Sequence, residues 1–201
     1  MNFPTIRGQH TVSGLIADIQ NLSTKQTPYL IAIDGRGGSG KSTLAAHIQA
    51  QSENVTIVHM DDFYLPSTKR TPVSPVENMI GADYDWPRVF EQVLQPLTSG
   101  VEAVYQRYDW ESDAMAEWHT VPLGGTVIIE GTYSTRQELA ALYDYTIWVE
   151  CPRDKRLDRG IERDGEEMRS MWEDNWMVYE DLYVEAHLPR DRANLVVDGT
   201  K

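Results

Sequence analysis

Gly35, Gly40, Lys41 and Ser42 fill the fixed positions of the pattern G-x-x-x-x-G-K-[ST] within Asp34-Gly35-Arg36-Gly37-Gly38-Ser39-Gly40-Lys41-Ser42-Thr43. These residue types at this spacing suit one chemistry. Glycines let the backbone turn so that its N–H groups point inward at phosphate oxygens. A helix beginning at Lys41 adds the positive end of its dipole. Lys41 supplies a mobile cation for β- and γ-phosphates, and the Ser42 hydroxyl suits a Mg²⁺ ligand. A flexible glycine turn is the competing reading. The flanking sequence favours the first: an apolar run, Tyr29 to Ile33, reads as a buried strand, and Ser42 to Ile48 reads as a helix start. The expected ligand is a nucleoside triphosphate with magnesium.

Two acids, Asp61 and Asp62, follow the β-branched run Val55 to Met60, which reads as a second strand. Glu130 closes another buried strand, Thr126 to Glu130. Open α/β sheets place their ligands at such strand ends. A carboxylate beside Mg²⁺ and the γ-phosphate can orient and deprotonate an alcohol; a carboxylate there can also simply cap the next turn.

The remaining elements must carry these groups. Val12, Leu15, Ile16, Ile19 and Leu22 recur at helical spacing before the first strand. Pro66 to Pro75 reads as an exposed loop. Pro87 suits the first position of a helix with Val89, Phe90, Val93, Leu94 and Leu97 buried, closed by Pro96 and Gly100. Val101 to Tyr105 looks extended, Arg136 to Leu142 is a short helix, and Tyr145 to Val149 and Leu195 to Asp198 are strands. Met168, Met171, Trp172, Trp176, Tyr179 and Tyr183 form one long helical stripe, read as core. Strands alternating with helices predict an α/β fold: a three-layer, mostly parallel sheet with helices on both faces.

The 201 residues fit one domain. A formal net charge of −13 argues against a nucleic-acid polymer or an anionic membrane as partner. Cys151 is the only cysteine, so no internal disulfide forms and a reducing cytoplasm is the expected compartment. Met1 to His10 lacks a signal pattern, no apolar run approaches membrane-spanning length, and the five histidines show no ligand spacing.

Taken together, the glycine loop, Asp61-Asp62-Phe63-Tyr64, Tyr84-Asp85-Trp86-Pro87, Tyr108-Asp109, Ile128-Ile129-Glu130-Gly131, and Arg156-Leu157-x-Arg159 with Arg163-Asp164 resemble the uridine kinase and phosphoribulokinase family of P-loop kinases, from about Ile31 to Val197. The resemblance implies a single P-loop kinase domain over 1–201, with an acceptor-binding insertion at about 64–120 and a lid at about 153–170. It implies ATP and Mg²⁺ as cofactors, and transfer of the γ-phosphate to a hydroxyl of a small molecule, a nucleoside first. Asp61 matches the position that takes the acceptor proton. Glu130 matches a Mg²⁺-linked carboxylate, joining Ser42 as metal ligand. Asp85 matches the group that grips two ribose hydroxyls, though an N-cap for the helix near Pro87 explains it as well. Tyr64, Trp86 and Tyr108 match aromatic positions around the acceptor, where core packing is the alternative. Arg156, Arg159 and Arg163 share one helical face. The family places catalytic lid arginines there, with Arg163 first and Arg159 next; a solvated, ion-paired face is the alternative. Arg169 is a weaker lid candidate. Arg192 matches a position flanking the adenine. Homo-oligomerisation stays open.

Three departures bear on the acceptor. Gln106 stands where the family has proline, Asp113 where it has a base-reading histidine, and Gly165-Glu166-Glu167-Met168 where an arginine-glycine-arginine lid follows. A pantothenate-like compound or a sugar phosphate therefore stands as an alternative acceptor. Arg107, Lys69 and Arg70 are the nearby cations a phosphorylated acceptor would need. A nucleotide switch protein lacks its guanine-reading Asn-Lys-x-Asp segment here, and a binding module without turnover is disfavoured by intact Lys41, Asp61 and Glu130.

Overall fold

The computed structural model describes residues 3–8, 10–21 and 27–200. A short edge strand, β1 (Thr5–Gly8), precedes α1 (Val12–Gln20). The α1 stripe buries Val12, Leu15, Ile16 and Ile19 as its spacing predicts; Leu22 lies outside the described residues. Then follow β2 (Tyr29–Asp34), α2 (Lys41–Gln51) and β3 (Val55–His59). A 3₁₀ turn over Met60–Phe63 takes up Met60, which the β-branched run had placed in the strand.

The next helix is longer than its prolines predict. It runs through α3 (Trp86–Arg88), a π segment (Val89–Leu94) and α4 (Gln95–Thr98). Pro96 does not close it. A π register reaches five residues back, as Gln95 N–H does to Phe90 O, and so passes over the N–H that Pro96 lacks. The extended stretch after it is β4 (Ala103–Asp109), paired in an antiparallel hairpin with β5 (Ala114–Val121). Strand β5, which contains Trp118 and His119, has no simple alternation of apolar residues, and the pattern misses it.

Strand β6 (Thr126–Glu130), α5 (Gln137–Ala140), β7 (Tyr145–Glu150) and α6 (Arg153–Asp164) continue the α/β alternation. The aromatic stripe is helical but not uniform: a 3₁₀ turn (Glu166–Met168), α7 (Arg169–Met171), a π segment (Trp172–Trp176) and α8 (Met177–His187). The chain closes with α9 (Pro189–Arg192) and β8 (Leu195–Asp198).

The main sheet has the order β1-β8-β7-β2-β6-β3, with only β1 antiparallel. Successive side chains leave opposite faces of a strand. Leu30, Val58, Val127, Ile129, Trp148 and Val196 therefore join the helix of residues 86–98, the hairpin and Tyr183 in one core layer. Ile31, Ile33, Ile128, Ile147, Val149 and Val197 meet α1 and α2 in the other. Each fully buried aliphatic side chain stabilises by about 1.5–3 kcal/mol. The expected three-layer arrangement is thus observed. Strand β2 lies between β6 and β7, so the loop after β2 opens where neighbouring crossovers diverge.

Candidate active site

The loop after β2 is rooted by Asp34. This fully buried carboxylate accepts hydrogen bonds from Gly35 N (2.7 Å), Thr135 N (2.9 Å), Thr135 Oγ1 (2.7 Å) and Tyr183 Oη (2.6 Å). Burial still raises its pKa, against the pull of those donors. Beyond it the loop turns back through Gly38 (φ 72°) and Gly40 (φ 97°), both in the left-handed region, and Gly40 begins α2. A Cβ on Gly38 would lie 2.5 Å from Arg156 O, so the loop presses directly on α6. Lys41 folds over the loop, its Nζ 3.3 Å from Arg36 O. Arg159 Nη1 clamps the loop from outside, donating to Gly38 O (3.1 Å) and Gly199 O (2.7 Å).

The sheet register delivers the metal-type pair. Glu130 lies opposite Ile33 on one side and His59 on the other. Its Oε1 accepts from Ser42 Oγ (3.0 Å), and its Oε2 lies 2.9 Å from His59 Nδ1. Burial raises this carboxyl, but the His59 hydrogen bond, Lys41 and Ser42 together outweigh it and leave the pKa below the usual value. His59 is raised in return, chiefly by its bond to Glu130.

Asp61 and Asp62 face different ways. Asp61 opens to the cleft and accepts from Tyr84 Oη (3.2 Å). Solvent reaches this side chain, yet the surrounding protein mass raises its pKa, with Lys41 lowering it and Glu130 adding to the rise. Asp62 accepts from Tyr105 Oη (2.8 Å) and so anchors the hairpin.

A single cleft of about 960 Å³ joins these groups. Of the residues expected at the site, it is lined by Gly37, Gly38, Gly40, Lys41, Ser42, Thr43, Asp61, Tyr64, Glu130, Arg159 and Arg163. The others lie elsewhere. Arg36 pairs with Asp181 (3.1 Å), and Ser39 is fully buried beneath the loop, as is Gly35 beside Asp34. Asp85 caps the helix: its Oδ1 lies 3.4 Å from Arg88 N and its Oδ2 3.3 Å from Arg88 Nε. Trp86 lies under the Arg136 guanidinium (4.5 Å). Tyr108 is buried against the hairpin turn, donating to Asp113 (2.6 Å). Arg192 donates to His187 O (2.8 Å) and Thr135 O (2.6 Å), outside the cleft lining.

The arginines on α6 have three different settings. Arg156 is buried and pairs with Glu180 (3.0 Å); Arg159 clamps the loop; Arg163 reaches the cleft, paired with Asp164 (2.7 Å) and lying over Trp172 (5.7 Å). Arg169 pairs with Glu166 and Glu173.

Several lining residues carried no expected role. Glu180 accepts from Gly37 N at 2.6 Å, placing a carboxylate on the glycine loop from near the far end of the chain. Trp172 packs on Gly160 so closely that a Cβ there would come within 2.4 Å of the indole. Asp83, Tyr84, Trp110 and Tyr133 line the other end. Tyr133 holds φ 74°, a costly conformation for a bulky residue. Asp83 and Tyr84 adjoin Asp85 in sequence, which is the signal that could have found them.

The residues fit the triphosphate and metal that the loop implies. A Cβ at Gly37 would meet the Glu180 carboxylate at 2.8 Å and one at Gly38 would meet Arg156 O at 2.5 Å, so the loop keeps this tight turn only with glycine. Ser42 with Glu130 offers the few oxygen donors that Mg²⁺ takes from protein. Among the described residues no helix is long and apolar enough to cross a membrane.

The model of the "Phosphoribulokinase / Uridine kinase family" matches residues 30–174. The chain belongs to that family. It is 31% identical over 154 residues to uridine-cytidine kinase B of Dictyostelium discoideum, covering 72% of this chain and 61% of that protein. It is 31% identical over 149 residues to a uridine kinase of Brevibacillus brevis, covering 70% and 68%. The chain thus spans under two thirds of the amoebal relative's length. Its fold is that of a possible uridine kinase from Bacillus stearothermophilus, with a TM-score of 0.71 at 23% identity, over 92% of this chain and 96% of that one.

Proposed function

We propose that this protein is an ATP-dependent kinase that moves a γ-phosphate onto the hydroxyl of a small alcohol, a nucleoside first among the candidates. The observation that carries this is Asp61 sharing one cleft with Lys41, Ser42, Glu130 and Arg163. The uridine and uridine-cytidine kinases among its relatives favour the nucleoside.

ATP, bound with Mg²⁺, would supply the transferable phosphoryl group. The loop from Gly37 to Thr43 would hold the phosphates, with Lys41 on the β- and γ-oxygens. Ser42 and Glu130 would hold the metal. Asp61 accepts the proton of the acceptor hydroxyl, and its raised pKa improves it as a base. Tyr84 Oη fixes the rotamer of that carboxylate. Arg163 approaches from α6 to neutralise charge on the group in transfer. In this reading residues 64–120 form the acceptor region and 153–170 the lid of one kinase domain. A reducing, cytoplasmic setting suits the buried free thiol of Cys151.

The test is ADP release from ATP and Mg²⁺ with uridine, cytidine, free sugars and pantothenate in turn. The expected result is acceptor-dependent ADP that Asp61→Asn nearly abolishes while ADP still binds. Near-normal kcat in Asp61→Asn with saturating acceptor would remove Asp61 as the base, and no acceptor-dependent ADP at all would remove the kinase reading.

A further inference from the structure

We infer that Phe3 is a wall for the nucleobase of the phosphate donor, supplied by a segment that lies ahead of residues 30–174, the stretch the family model matches. The inference rests on the kinase reading above and deepens it on the donor side. The sheet order sets the direction. The glycine loop follows β2, inside the order β1-β8-β7-β2-β6-β3. Asp61 follows β3, at one edge. Phe3 precedes β1 and Gly199 follows β8, at the opposite edge. Phe3, Gly199 and Asp61 nevertheless line one cleft. A triphosphate lying on the glycine loop with its transferable end toward Asp61 carries its nucleoside toward the β8 edge.

The strand pairing delivers the ring to that edge. β1 runs antiparallel to β8, so the start of β1 lies beside the end of β8. Asp198 N donates to Pro4 O (2.8 Å), which sets Phe3 next to Gly199. Gly199 in turn rests on the glycine loop: a Cβ there would collide with Ser39 O, and its own N–H donates to Glu150 O (2.8 Å). The Phe3 ring packs against His47 of α2, with 5.6 Å between centroids. His47 lies one helical turn beyond Thr43, which also lines the cleft. These contacts leave Phe3 only 5% exposed, so the ring is held in place.

The lining at this edge suits a flat π-system. Of Phe3, Gly40, Thr43, Arg159 and Gly199, two have polar side chains, and Arg159 Nη1 is given to Gly38 O and Gly199 O. An aromatic ring and a guanidinium plane both stack on bases, and stacking asks for few hydrogen-bonding partners. A polyphosphate without a base would gain nothing from Phe3. Arg192, which the resemblance puts beside the adenine, is bonded to His187 O and Thr135 O outside the cleft lining. The aromatic contact for the base therefore comes from the opposite end of the chain.

The experiment is calorimetric titration of wild type, Phe3→Leu and Phe3→Ala with ADP and with inorganic tripolyphosphate, each with Mg²⁺. Phe3 also packs in the core, so a thermal melt accompanies each variant, and Leu keeps most of the apolar volume while removing the ring. The expected result is an ADP Kd raised about fivefold or more in Phe3→Ala and raised in the same direction in Phe3→Leu, with tripolyphosphate affinity unchanged. A second measurement needs no variant: wild type is photolabelled with an azidoadenine form of ADP, and the label is expected on the peptide that carries Phe3. Equal losses for ADP and tripolyphosphate, an unchanged ADP Kd in both variants, or a label absent from that peptide overturns the inference and leaves the kinase reading intact. Wild type that binds neither ADP nor tripolyphosphate removes both.

Discussion

Beneath the glycine loop, outside the cleft lining, Asp34 takes four hydrogen bonds of 2.6–2.9 Å and is completely buried. At the acceptor end, Asp83 takes one of 3.3 Å and faces the cavity. One carboxylate thus roots the glycine loop from below, and the other lines the opposite part of the cleft. The glycine loop is fixed by its own hydrogen bonds, as the proposed triphosphate would require: inward amides, one lysine, one hydroxyl. The second leaves polar capacity unspent, and that capacity is what an acceptor would fill. The contrast teaches that stability and specificity are drawn from different ends of this cleft, and it can be broken by substitution at either.

The largest effect is expected where the fixed end is held by a buried ion pair. Arg156 and Glu180 expose only 4% and 7% of their side chains, and Glu180 also carries the Gly37 amide. Glu180→Ala leaves Arg156 charged and unpaired in the interior, a loss of about 3–5 kcal/mol. Urea unfolding should show it as a lowered midpoint, with Glu180→Gln closer to wild type. A Glu180→Ala variant as stable as wild type would break the claim that this end is prefixed.

Next is Lys41→Ala. Its side chain is held against the glycine loop, so its loss should leave the melting temperature close to wild type and lower kcat/KM about 10²–10³-fold, the scale of one lost charge-stabilising group. Steady-state ADP release beside a thermal melt checks both halves of that statement.

How much of this was legible in the sequence follows the same division. The glycine loop could be read because its chemistry lies within ten consecutive residues, and the parallel strands could be read because both faces of the sheet are covered, whereas the edge strand β1 and the hairpin strand β5 could not. Glu130 and Asp61 were legible as acids at strand ends. Glu180 was not: nothing local separates it from the acids around it, and its role exists only once α8 packs across the glycine loop. Asp83 lines the cleft two residues before Asp85, and no motif in the sequence assigns it a role. Asp85 fits the family pattern and also caps the helix that begins at Trp86, and no sequence pattern shows which of two nearby acids a helix will take. The three α6 arginines illustrate the limit of spacing. Helical periodicity puts them on one face, but packing gives Arg156 to the interior, Arg159 to backbone carbonyls and Arg163 to the cleft.

Acidity offers a way to sharpen the comparison without mutation. Asp61 must be ionised to accept a proton, and the surrounding protein mass raises its pKa above the ordinary aspartate value although solvent reaches it. The acceptor kcat/KM should therefore fall as pH drops through that raised pKa and level off above it. The nucleotide affinity should not follow the same limb. A limb at or below the ordinary aspartate value would show that Asp61 is not the group being protonated.

A smaller effect is expected from Trp110. It is half exposed and stacks on Tyr64, so Trp110→Ala should raise acceptor KM by the worth of one aromatic contact, about 0.5–1.5 kcal/mol, and leave stability nearly unchanged. If Trp110→Ala instead lowers the unfolding midpoint as Glu180→Ala does, the acceptor end is as prefixed as the phosphate end.

The smallest effect belongs to the hairpin turn behind those rings. Asp113 accepts from Ser67 N (2.9 Å), Ser67 Oγ and Tyr108 Oη (2.6 Å), and these donors hold its pKa down at about 2. A carboxyl depressed in the folded state contributes stability that is present above its unfolded pKa and is lost as pH falls through the folded one. The contribution should thus be full at neutral pH and fade between roughly pH 4 and the folded value of about 2. The residue is solvent-facing, so the global melt should barely register it. Amide exchange at Ser67 is the sensitive readout: it should quicken in Asp113→Ala relative to wild type at neutral pH while exchange at the Asp34-bonded Thr135 amide stays slow. Equal quickening at both amides would mean that the two ends open together, and the division between a fixed and an adaptable end would have to be given up.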